Sequence, residues 1–94
     1  MSFIGARISV DGAVQGVGFR YWCLRTAREI GVNGYVANLP DGSVEIEAEG
    51  ERGLIEEFLK AVKVGPTYAH ISDMKIEWYE KPRGYRDFGI RYKD

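Results

Sequence analysis

Val10-Asp11-Gly12-Ala13-Val14-Gln15-Gly16-Val17-Gly18-Phe19-Arg20 decides how this chain folds, because the spacing of apolar residues changes across it. Before it, Ile4, Ala6, Ile8 and Val10 alternate with Gly5, Arg7, Ser9 and Asp11. That period of two predicts a strand over 3–11 with one buried face. After it, Phe19, Cys23, Leu24, Ala27 and Ile30 fall on one side of a helix predicted over 19–30, with Arg25, Arg28 and Glu29 elsewhere. Gly31 stands where a helix C-cap glycine belongs. The glycines lie at the junction. Gly16 and Gly18 accept backbone angles that side chains resist, so successive N–H groups can turn inward around an anion. The helix start aims its unpaired N–H groups and partial positive charge at the same spot. Arg20 adds a fixed cation whose planar fork matches a phosphate. Read from the residues alone, the stretch is either a phosphate cradle or a tight glycine turn with a surface arginine.

The rest of the chain follows the same logic. Residues 33–39, rich in Tyr and Val, predict a second strand, and Pro40-Asp41-Gly42 is turn chemistry. Over 43–49, Val44, Ile46 and Ala48 alternate with Ser43, Glu45, Glu47 and Glu49, which predicts a strand whose glutamates face solvent. Leu54, Ile55, Phe58, Leu59 and Val62 make the apolar stripe of a second helix over 52–63, stopped by Gly65-Pro66. Alternation returns at 70–79 (Met74, Ile76, Trp78) and at 87–92 (Phe88, Ile90, Tyr92). The order βαββαβ plus a short C-terminal strand predicts an α+β ferredoxin-like sandwich: an antiparallel sheet with two helices on one face. A single domain over 1–94 is expected.

Composition narrows the function. Hydrophobic residues make up 45% and charged residues 29% of 94, ordinary for a globular domain. A net charge of −1 gives no broad attraction for nucleic acid or anionic membrane. The single cysteine, Cys23, forms no internal disulfide and suits a reducing compartment, so a cytoplasmic location is expected. No run approaches a membrane span or a secretory signal. The only histidine is His70, so a histidine triad or zinc cluster is not available. Cys23 follows Arg20 on the apolar helix face, whereas a cysteine phosphatase places its nucleophile before the arginine. No Gly-Lys-Ser/Thr occurs, and Tyr21 replaces the third glycine of a dinucleotide fingerprint. RNA binding is a weaker reading of the same element order: Arg83-Gly84-Tyr85-Arg86-Asp87-Phe88 matches an RNP1 motif only in part, and the third strand is acidic.

Residues 10–20 resemble the first motif of the acylphosphatase family, and Gly34-Tyr35-Val36-Ala37-Asn38-Leu39-Pro40-Asp41-Gly42-Ser43-Val44 resembles the second. Phe88-Gly89-Ile90-Arg91-Tyr92 is similar to the family's closing strand. The resemblance implies the same sandwich and hydrolysis of the carboxyl–phosphate bond of a small-molecule acylphosphate, with no cofactor, metal, nucleic acid or membrane, by a monomer. By resemblance, Arg20 and the loop of Gln15, Gly16, Val17, Gly18, Phe19 and Arg20 bind phosphate, and Asn38 orients the attacking water. Ala13 and Ala37 stand where the family often has basic or polar residues, which leaves fewer cations at the rim. Apart from the resemblance, Asn38 also reads as a turn asparagine. It shares the parity of Val36, so a regular strand aims both to one side, although the direction can change beside the Pro40 turn.

Overall fold

The computed structural model describes residues 3–92; the outermost residues of the expected domain, 1–2 and 93–94, lie outside the described ones. The elements run β1 (Phe3–Ala13), α1 (Phe19–Ile30), β2 (Asn33–Asn38), β3 (Val44–Glu51), α2 (Arg52–Val64), β4 (His70–Tyr79) and β5 (Phe88–Tyr92). They form one five-stranded sheet in the order β4-β1-β3-β2-β5. This is the ferredoxin-like arrangement, with β1 to β4 antiparallel to their neighbours and β5 added parallel to β2, so the complete sheet is mixed. The first strand is two residues longer than its alternation predicts. A register shift at Asp11/Gly12 breaks the period there while pairing with β4 continues to Ala13.

The core lies between the sheet and the two helices. Ala6, Ile8 and Val10 of β1, Val36 of β2, and Val44, Ile46 and Ala48 of β3 are buried against Phe19, Cys23 and Ala27 of α1 and Ile55, Phe58 and Val62 of α2. Burying each large aliphatic or aromatic side chain contributes roughly 1.5–3 kcal/mol. Phe58 meets Phe88 edge to face, with ring centroids 5.6 Å apart, which ties α2 to the closing strand. Gly31 ends α1 at φ 100°, its N–H donating to the Ala27 carbonyl at 2.8 Å.

The opposite face of the sheet departs from expectation. Glu47 and Glu49 were expected in solvent, yet they are 1% and 3% exposed. The segment before β5 folds back over this face and brings donors that alternation within β3 cannot reveal. The Glu47 carboxylate accepts from the Tyr85 hydroxyl at 2.8 Å and pairs with Arg83 at 3.0 Å and Arg7 at 3.2 Å. Glu49 accepts from the Tyr79 hydroxyl at 2.7 Å and from the backbone N–H groups of Arg83, Gly84 and Tyr85 at 2.6, 3.1 and 3.3 Å. A buried carboxylate is tolerated only when satisfied in this way. Burial pushes the Glu49 carboxyl up, but the hydrogen bonds from Arg83, Tyr79, Gly84 and Tyr85 outweigh it and hold it below its ordinary value of 4.5. The ionised form is therefore favoured by folding. Its contribution is complete above the ordinary value and disappears as pH falls through the lower, folded one. Glu49→Gln is expected to lose about 1–3 kcal/mol at pH 7. In urea unfolding at stepped pH, the gap to the parent protein should close on the acid side of 4.5.

Candidate active site

The cleft is built where β1 gives way to α1. Gly16 and Gly18 adopt φ 77° and 78°, the left-handed region in which a glycine is favoured. Gly18 is the N-cap of α1, and its carbonyl accepts the first helical bond from Trp22 N–H at 3.0 Å. No side chain caps this end, and no acidic residue lies in the first turn. The N–H groups at the helix start are thus left for a ligand, with the positive end of the helix dipole behind them.

Seven residues enclose a cleft of about 200 Å³: Val14, Gly16, Gly18, Phe19, Arg20, Tyr21 and Asn38. Arg20 is half-buried, and its guanidinium lies over the exposed Tyr92 ring, 5.3 Å from the centroid. Asn38 ends β2 in regular register, paired with Val44 on one side and Tyr92 on the other. It therefore keeps the direction of Val36, toward the helices, and at this end of the sheet that direction is the cleft. Its Oδ1 is shut away from solvent without a hydrogen-bond partner. An unpaired buried acceptor costs about 1–3 kcal/mol, a cost that tends to be kept where a ligand relieves it. A larger depression of about 570 Å³ runs along α1 beside Tyr21, Leu24, Arg25, Arg28 and Glu29. It has no converging glycine backbone, and Arg28 there already donates to the Phe88 carbonyl at 3.2 Å. The smaller cleft is the one that gathers the glycine backbone, the helix start, Arg20 and Asn38.

Of the residues singled out in the sequence, the structure brings Gly16, Gly18, Phe19, Arg20 and Asn38 together. Phe19 is 1% exposed, its ring packed in the core, so only its backbone faces the cleft. Val17 and Gln15 do not line it. Val17 packs against the edge of the core. The Gln15 side chain turns to the β2–β3 hairpin, donating through Nε2 to the Leu39 and Ser43 carbonyls at 2.9 and 2.8 Å. Sequence reasoning missed Tyr21 and Val14 as lining residues and Tyr92 as the neighbour of Arg20. Tyr21 was visible as an exposed aromatic one place after the arginine; the position of Tyr92 depends on β5 joining the sheet beside β2. Cys23 is buried, and burial pushes its thiol up, which keeps it neutral and inert. Among the described residues, no group of three or more His, Cys, Asp or Glu side chains is arranged to hold a metal ion. No helix among them is long and apolar enough to cross a membrane.

Comparison with known proteins points the same way. The acylphosphatase family profile matches residues 6–90. An acylphosphatase of Thermotoga petrophila is 48% identical over 86 residues, covering 92% of this chain and 94% of that protein. One from Archaeoglobus fulgidus is 47% identical over 89 residues, covering 95% and 99%. The crystal structure of acylphosphatase from Bacillus subtilis superposes with a TM-score of 0.93 at 39% identity, covering 95% of this chain and 99% of that one.

A Cβ at Gly18 would meet nothing within 4 Å, so its substitution acts through backbone strain alone. Gly18→Ala is expected to lose about 1–2 kcal/mol of stability. It should also weaken competitive inhibition by inorganic phosphate, as read from inhibition constants alongside the urea midpoint.

Proposed function

The chain belongs to the acylphosphatase family, enzymes that hydrolyse acylphosphates, and from that premise we propose how its residues divide the work. Arg20 and the backbone of residues 15–20 hold the phosphoryl group of the substrate. Asn38 orients the water that attacks phosphorus. The observation that carries this reading is the meeting in one cleft of a left-handed glycine pair, an uncapped helix start, one guanidinium and one carboxamide with an unpaired oxygen.

The chemistry suits such a site. An acylphosphate is a mixed anhydride, and it departs as a carboxylate whose acid has a pKa near that of Asp or Glu, about 4. At neutral pH the leaving oxygen needs no general acid. Phosphoryl transfer then depends on positioning and on stabilising charge over the equatorial oxygens. The N–H groups and Arg20 supply that stabilisation. The Asn38 carbonyl accepts one proton of the water after a turn about its soft terminal torsion, while the NH₂ group donates elsewhere. A carboxamide is too weak a base to take that proton; a phosphate oxygen of the substrate is the acceptor at hand. No cofactor is needed for these steps. The same reading has the protein working as a cytoplasmic monomer on a small molecule. The net charge of −1, with no bias toward nucleic acid, and a lone buried cysteine support it.

With benzoyl phosphate as substrate, Arg20→Gln is expected to lower turnover on the order of 10²–10³-fold, the usual loss for one such donor. Near-parental rates from a folded variant would remove the assignment. Asn38→Ala should lower kcat and leave the inhibition constant for inorganic phosphate unchanged, which separates orienting water from binding phosphate. Dialysis against excess EDTA should leave the rate as it was; a loss restored by a divalent metal would refute the cofactor-free reading.

A further inference from the structure

We propose that Gln15 is a positioning residue: its side-chain amide fixes the hairpin that carries Asn38 relative to the phosphate cradle. The proposal rests on the roles given above to the cradle and to Asn38. Gln15 sits between two residues that line the cleft, Val14 and Gly16, yet its own side chain leaves the cleft. Both hydrogens of one NH₂ group are used. One bond reaches the carbonyl of Leu39, the residue after Asn38, at 2.9 Å; the other reaches the carbonyl of Ser43, the residue before Val44, at 2.8 Å. The two acceptors are the two arms of the β2–β3 turn, already joined by Leu39 N–H to the Ser43 carbonyl at 2.9 Å. A single amide therefore clasps the whole turn at its base.

Two further observations give the clasp consequence. Among the described residues, no other side-chain hydrogen bond links residues 14–18 to residues 38–43. The Asn38 oxygen has no partner, so no bond to it aims the carboxamide. The sheet ladder through Val44 brings the two segments to one end of the sheet, and beyond it the direct polar tie between cradle and hairpin runs through the Gln15 side chain. Reacting groups must be held to a fraction of an ångström, and a displacement of about 1 Å can cost 100-fold in rate. An exposed glutamine would otherwise gain little from ordering its side chain.

The test is a double-mutant cycle on the intact protein. Gln15→Met keeps length and volume and removes the donors; Gln15→Asn keeps the donors on a stem one carbon shorter and serves if the first variant unfolds. For each, folding is checked by circular dichroism and the urea midpoint. Then kcat on benzoyl phosphate and the inhibition constant for inorganic phosphate are measured, alone and with Asn38→Ala. The expected result is a fall in kcat of about 10- to 100-fold. The phosphate constant should hold within about two-fold, and Gln15→Met should bring no further loss in the Asn38→Ala background. An unchanged kcat makes Gln15 merely structural and overturns the proposal. So does a phosphate constant that rises in step with the loss of rate, or a loss that multiplies in the double variant. If Asn38→Ala alone leaves kcat intact, the assignment of Asn38 fails first, a result distinct from any failure of the cycle.

Discussion

Val44 is the point on which the candidate active site depends. It pairs with Val10 of β1 on one side and with Asn38 of β2 on the other. Because β1 and β2 are each antiparallel to β3, they run parallel to each other and finish at the same end of the sheet. Two strand spacings of about 4.8 Å separate Val10 from Asn38 across Val44. The glycine loop leaves β1 three residues beyond Val10, and α1 begins where that loop ends. A cradle and a carboxamide far apart in sequence are thus delivered to one cleft by the sheet ladder, and Val44 itself is fully buried and held on both flanks.

Around that fixed frame the site keeps several locally unfavourable features. Gly16 and Gly18 hold left-handed angles that other residues would resist, and α1 starts on Gly18 without the Ser, Thr, Asp or Asn that would stabilise it by about a few tenths of a kcal/mol. An amide oxygen is buried with no donor. The missing cap and the unpaired oxygen run against stability, and on the proposed reading they leave groups for the phosphoryl anion and the attacking water. The closing strand compensates in part: β5 lengthens the sheet beside β2, locks Phe88 against Phe58, and sets Tyr92 under the Arg20 guanidinium. The covered outer face does the same on a larger scale, since Glu47 and Glu49 tie β3 to β1, to β4 and to the segment entering β5.

Much of this was legible in the residues, for identifiable reasons. Period two in Ile4-Ala6-Ile8-Val10 and period 3.6 through Phe19, Cys23 and Ala27 gave β1 and α1, and the Asp41 side chain does accept from the Ser43 N–H at 2.9 Å in the expected turn. What was not legible depends on segments distant in sequence. The glutamates of β3 alternate as a solvated face does, and only the return of residues 83–85 and Tyr79 over them makes that face interior. The parity of Asn38 was read correctly as that of Val36, but parity does not say that the helix side is also the cleft side; the placement of α1's N-terminus over this end of the sheet decides that. Gln15 lay within the loop motif, and its side chain's distance from the cleft follows from the hairpin's closeness, which no local pattern encodes.

Among the described residues, no His, Asp, Glu or Lys lines the cleft, and that has a coherent meaning. An arginine keeps its charge across the working range of pH, a carboxamide carries none, and backbone N–H groups do not titrate. A reaction that expels a strong base would stall in such a site for want of a proton. One that expels a carboxylate does not, because the leaving oxygen is already a weak base at neutral pH. On the proposed reading, the catalytic demand therefore falls on geometry: amides and a guanidinium to hold a phosphoryl group, and a carboxamide to orient a water. A small sheet that fixes Asn38 and the glycine loop to one central valine meets that demand with 94 residues.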